Sequence, residues 1–104
     1  MKTFYCKLIS PRPSFVHDIT SEETEIMQWH AVYWNECMDK GHVITFGFVS
    51  DPAREFGVCI VETESEAEAR SLIDNDPAIL SGRGFSYEIY PMPRGAVHPP
   101  FARG

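Results

Sequence analysis

Four runs of strand-forming residues alternate with two segments of helical period in the order β-α-β-β-α-β, which leaves few folds open to a chain of 104 residues. Residues 2–9 (KTFYCKLI) set Phe4, Cys6 and Leu8 on one face and Tyr5, Lys7 and Ile9 on the other. After a Pro-containing segment, Thr20 and Glu23 have the spacing of a capping box, and a helix is predicted to run to about Lys40, with Gly41 as its left-handed terminator. Residues 42–49 (HVITFGFV) and 56–62 (FGVCIVE) flank the Ser50-Asp51-Pro52 turn as two antiparallel strands. Thr63 or Ser65 can cap a second helix ending near Asn75, and residues 85–90 (FSYEIY) alternate as a fourth strand. This is the ferredoxin-like α+β arrangement: a four-stranded antiparallel sheet with both helices on one face. Residues 1–104 form one domain, with 91–104 a Pro-rich tail that is poorly ordered unless it docks.

Helices on one face leave the other face of the sheet wet, yet these strands are apolar on both sides. Val58 and Ile60 oppose Cys59 and Val61, and Val43 and Val49 oppose Ile44, Phe46 and Phe48. The simplest cover is the same face of a second copy, so the sequence predicts a homodimer with sheets packed face to face. A formal net charge of -6, with nine scattered Lys and Arg, argues against nucleic acid or an anionic membrane and for a small molecule or a protein as partner. No apolar run resembles a signal peptide or a membrane span, which predicts a cytoplasmic protein. Cys6, Cys37 and Cys59 are widely spaced in apolar runs and read as buried thiols, with no metal site and no disulfide framework.

Against this background two polar residues stand where apolar ones belong. The stripe Ile26, Trp29, Tyr33, Cys37 recurs at helical spacing, and His30 falls on or beside it. In the second helix Ala69, Leu72 and Ile73 mark the inward side, and Asp76 extends that series before Pro77 ends it. If both helices cover one sheet, imidazole and carboxylate meet. A carboxylate beside a histidine sets its tautomer and raises its basicity, as acid/base catalysis near neutral pH requires. The plainer readings are a hydrogen-bonded core histidine and a turn-forming aspartate. Trp34 shares the side of His30, and with Cys6 and Phe46 it is assigned to a flat, aromatic-friendly substrate pocket. No nucleophile elbow and no glycine-rich phosphate loop is present, so no cofactor is called for. The segment 10–20 is a candidate lid, from which His17 and Asp18 can reach the site.

These residues resemble a known family. His30 in the first helix, Gly41, the strand with Gly47, the Asp51-Pro52-Ala53 turn, the Glu-Ala repeats of the second helix and Asp76-Pro77 are together similar to the YCII (YciI-like) domain, over nearly the whole chain. The resemblance implies a dimeric α+β barrel, related in fold to muconolactone isomerase, with His30 and Asp76 as the paired residues of the cleft. One branch of that family includes a dehydrochlorinase of chlorinated hydroxyhydroquinones, which implies lyase or isomerase chemistry on small ring or carbonyl compounds. Phe48 stands where the family commonly has Gly-Pro, and Ala78 replaces a frequent Phe, so the substrate does not carry over. The alternative is a non-catalytic ligand-binding or accessory module in which the pair is structural.

Overall fold

The computed structural model describes residues 1–95. Its elements are β1 (Lys2–Ile9), α1 (Phe15–Asp18), α2 (Ser21–Asp39), β2 (Val43–Val49), β3 (Phe56–Thr63), α3 (Glu66–Asp74), α4 (Pro77–Leu80) and β4 (Ser86–Pro91). The strands form one antiparallel sheet in the order β2-β3-β1-β4, which places the two central strands, β1 and β3, against each other from Lys2↔Thr63 to Leu8↔Gly57. This is the ferredoxin-like α+β order that the alternation of elements predicts. The short α1 and α4 were not anticipated. Both are single turns, too short to register as a helical period.

Local chemistry explains where the helices begin and end. Thr20 Oγ1 accepts from the Glu23 N–H at 3.1 Å while the Glu23 carboxylate accepts from the Thr20 N–H at 3.0 Å, completing the capping box of α2. At the other end Gly41 adopts φ 86°, where a side chain would clash with the backbone. Its N–H donates to the Met38 carbonyl and that of His42 to the Cys37 carbonyl, closing a Schellman turn. Ser65 caps α3 through the Glu68 N–H. After Asn75, Asp76 is extended (φ -62°, ψ 129°) because it precedes Pro77, and proline then occupies the first turn of α4, where no N–H is needed.

The helices pack on one face of the sheet, over Phe4, Cys6, Cys59 and Val61, with Trp34, Cys37, Ala69 and Ile73 above them. A second, smaller cluster at the end of the sheet joins Leu8, Phe15, Ala78 and Phe85. On the opposite face, Tyr5, Ile9, Val49, Phe56, Val58 and Ile60 are only half-buried, and no described element covers them. Trp29, expected in the inward stripe of α2, is 56 % exposed. The buried face of that helix runs instead through Glu23, Met27, His30, Trp34 and Cys37, and Trp29 lies about 100° around the helix from His30. Of the proline-rich tail, residues 91–95 are described and Met92 N–H donates to the Thr3 carbonyl; the rest lies outside the described residues.

Candidate active site

Asp76 is fully buried, and its carboxylate receives donors from several elements at once. Oδ2 accepts from Tyr87 OH at 2.5 Å and from Trp34 Nε1 at 3.0 Å. Oδ1 accepts from the Ala78 N–H at 2.9 Å, which makes Asp76 the cap of α4. His30 Nδ1 lies 2.8 Å from Oδ2 and 3.0 Å from Oδ1. Asp76 is thus both the turn residue of the plain reading and a hydrogen-bonding partner of the His30 ring. One carboxylate caps a helix and binds the imidazole.

Each donor is delivered by backbone geometry. His30 and Trp34 are four residues apart on α2, so both reach the same spot. Tyr87 pairs with Leu8 in register and faces the helices from β4, and its ring meets Trp34 edge-on at 6.4 Å. Tyr33 OH donates to the Leu72 carbonyl at 2.5 Å, tying α2 to α3 just before Asp76.

The electrostatics follow from this packing. Burial pushes the Asp76 carboxyl up, but the hydrogen bond and positive charge of His30, with the Tyr87 and Ala78 donors, outweigh it and hold it below its ordinary value. Burial, then the Asp76 charge, pushes the Tyr87 phenol far up, so it stays a donor. An ionised carboxylate has no proton to give, so the neutral imidazole carries its proton on Nδ1. Nε2 has no hydrogen-bond partner among the described residues.

His30 lines a cleft of about 280 Å³ whose other walls include Leu8, Phe15, Met27, Phe46, Phe48 and Phe85. A narrow crevice below it reaches Trp34, Cys59 and Tyr87. Phe46 lines the cleft, and Trp34 lies at its floor, fully buried. Cys6 does not line it. It sits in the core, and the thiol facing the crevice belongs to Cys59, its register partner on β3. The parity of β1 correctly turns Cys6 inward, but the helices cover that point. Burial raises the Cys6 thiol to about 11 and the Cys59 thiol further, so neither is a ready nucleophile.

The segment 10–20 forms a wall of the cleft through Phe15 and Val16. Arg12 pins it, donating to Asp18 Oδ1 at 2.7 Å and to both oxygens of Glu23 at 2.8 Å. Asp18 is thereby committed to Arg12 and Ser14, and His17, 76 % exposed, lies 3.5 Å from Glu55. Arg54 donates to the Ser10 carbonyl and Arg83 to Glu22. Tyr87 was missed as a site residue. Its signal was the inward parity of a tyrosine in FSYEIY, whose buried hydroxyl needs a partner.

A ferredoxin-like sheet with a histidine–carboxylate pair under its helices defines a class of small α+β protein. The family model of the YCII-related domain matches residues 3–93, and the chain belongs to that family. Among solved structures it is similar to the 5-chloro-2-hydroxyhydroquinone dehydrochlorinase of Burkholderia phenoliruptrix in complex with 2,5-dihydroxybenzoquinone. The match has a TM-score of 0.61 and 19% identity, over 88% of this chain and 95% of that one. The fold is accordingly that of the YciI-like dimeric α+β barrels. No curated protein matches. Among the described residues, no helix is long and apolar enough to cross a membrane.

Proposed function

We propose that the protein is a cytoplasmic, cofactor-independent enzyme acting on a small ring or carbonyl compound, with His30 Nε2 as acid/base and Asp76 holding the imidazole in the required tautomer. The observation that carries this reading is the contrast between the two ring nitrogens. Nδ1 is bound to a buried carboxylate, and Nε2 is unpartnered on a residue that lines an apolar cleft. In a lyase-like step on the keto tautomer of a hydroxylated ring, Nε2 takes a ring hydroxyl proton, the O–H electron pair forms a new carbonyl as the ring double bond shifts, and the leaving group, chloride in a dehydrochlorination, departs from its sp3 carbon with its bonding pair. The imidazolium then returns the proton to water. Substitution of His30 by Ala should lower kcat/KM by about 10²- to 10⁴-fold, and Asp76→Asn should lower kcat with little change in KM, assayed on halogenated and non-halogenated hydroxyhydroquinones. Unchanged turnover in both variants would contradict the proposal.

The alternative, a non-catalytic binding or accessory module, draws on Asp76 joining α2, α4 and β4. It predicts that the same variants lose thermal stability and keep ligand binding. We further propose that two protomers pair through the open sheet face, because Val58, Ile60 and Phe56 would otherwise remain in contact with water. Light scattering should give twice the protomer mass, and Val58→Lys should give the protomer; a wild type already of protomer mass would refute the pairing.

A further inference from the structure

The polar side chains lining the 280 Å³ cleft, among the described residues, are Ser10, His30 and Glu55. Each offers an acceptor and no free donor. The Ser10 hydroxyl spends its proton on the Arg12 carbonyl at 3.0 Å, so only its lone pairs remain. His30 spends its Nδ1 proton on Asp76 and presents the bare Nε2. Glu55 is a carboxylate whose Oε2 lies 3.5 Å from His17 Nε2, with Oε1 left over. Of the nearby guanidinium groups, Arg54 donates one N–H to the Ser10 carbonyl and keeps its buried Nε without a partner among the described residues, and Arg12 is held by Asp18 and Glu23; neither lines the cleft.

An apolar slot whose polar side chains are all acceptors is matched by a ligand that brings its own donors. A carboxylate or phosphate placed there would lose water, find no side-chain proton and face a like charge at Glu55. We infer that Glu55 is the specificity-determining residue of the cleft, binding a hydroxyl of a neutral polyhydroxylated ring and rejecting ring carboxylates. This rests on the proposed use of the cleft as a substrate site, and it goes further by assigning a second anchoring group and the charge of the ligand. A hydroxyl at Glu55 fixes the ring at a second point, which restricts the atom presented to His30.

The test is equilibrium binding of two probes that differ in one group, hydroquinone and 4-hydroxybenzoate, followed by calorimetry and by shifts of cleft resonances. The wild type should prefer hydroquinone by about tenfold or more, the scale of one hydrogen bond to a charged acceptor. Glu55→Gln, which supplies an amide donor and removes the charge, should weaken hydroquinone, strengthen 4-hydroxybenzoate and reduce that preference several-fold. His30→Ala, measured alongside, separates the two readings. If it abolishes turnover while Glu55→Gln leaves the preference unchanged, the acid/base assignment stands and the Glu55 assignment falls. If Glu55→Gln shifts the preference while His30→Ala leaves turnover intact, the specificity assignment stands without the acid/base role. A wild type that binds neither probe, or binds the carboxylate better, overturns the inference.

Discussion

Two carboxylates sit at helix N-termini in this small fold, and they are held in opposite ways. Glu23, in the first turn of α2, is gripped through both oxygens by Arg12. Asp76, the cap of α4, is surrounded by the Tyr87 hydroxyl, the Trp34 indole, a backbone amide and an imidazole. An arginine does not titrate in the working range, so the Glu23 site is a permanent ion pair that fastens the 10–20 segment. At Asp76 the partner is instead an imidazole, the side chain best suited to acid/base chemistry, and the carboxylate has three further donors besides it. The comparison teaches that a buried carboxylate alone does not mark a candidate site; what sets Asp76 apart is a histidine that lines a cleft.

The largest effect expected of this difference lies in stability. Replacing Asp76 by Ala strands the buried Tyr87, Trp34 and Ala78 donors and the imidazole together, which should cost about 3–5 kcal/mol in chemical denaturation. Arg12→Met and Glu23→Gln act at a more exposed clamp and should lower the melting temperature less, with turnover reduced far less than by His30→Ala. A clamp variant that destabilises more than the Asp76 variant, or that removes turnover, would break the comparison. Next in size, Tyr87→Phe deletes one donor and should cost about 1 kcal/mol while leaving the His30 contact in place.

The smallest effect is in the acid limb of stability. Both carboxyls titrate lower when folded than when unfolded, so each stabilises the fold above its ordinary value and loses that contribution as pH falls through its folded value. For Glu23, where the Arg12 hydrogen bond is the main cause and the Thr20 N–H the next, the window runs from 4.5 down to about 2. For Asp76 burial opposes and the His30, Tyr87 and Ala78 bonds prevail, so the window opens below 3.8. Melting temperature followed against pH should therefore flatten from 4.5 downward in Glu23→Gln and only below 3.8 in Asp76→Asn. Identical profiles in both variants and the wild type would show that neither carboxyl is held as described.

Much of this was legible in the residues, for reasons that can be named. The element order and the helix termini follow from local signals, such as the Thr20 and Glu23 spacing and Gly41, that need no knowledge of the rest of the chain. The meeting of His30 with Asp76 follows from two helical phases over one sheet. The spacing of Trp34 from His30 places it at the pocket, but its indole donor to Asp76 depends on a side-chain orientation that spacing does not carry. The Arg12 clamp was not legible at all, because it joins a segment without periodicity to the first turn of α2. Trp29 misled because a four-residue stripe tolerates a phase error of one position, and only the sheet beneath decides which side turns inward. The 10–20 segment reads as a lid from its length and prolines, whereas its guanidinium clamp makes it a wall.

The most direct test of the central claim is a nitrogen-15 NMR measurement of the His30 ring in the wild type and in Asp76→Asn, at a pH where the imidazole is neutral. The account predicts that the wild-type ring carries its proton on Nδ1, with Nε2 showing the shift of a bare acceptor, and that this preference weakens or reverses when the carboxylate becomes an amide. A wild-type ring protonated on Nε2, or a tautomer indifferent to the change at Asp76, would contradict it.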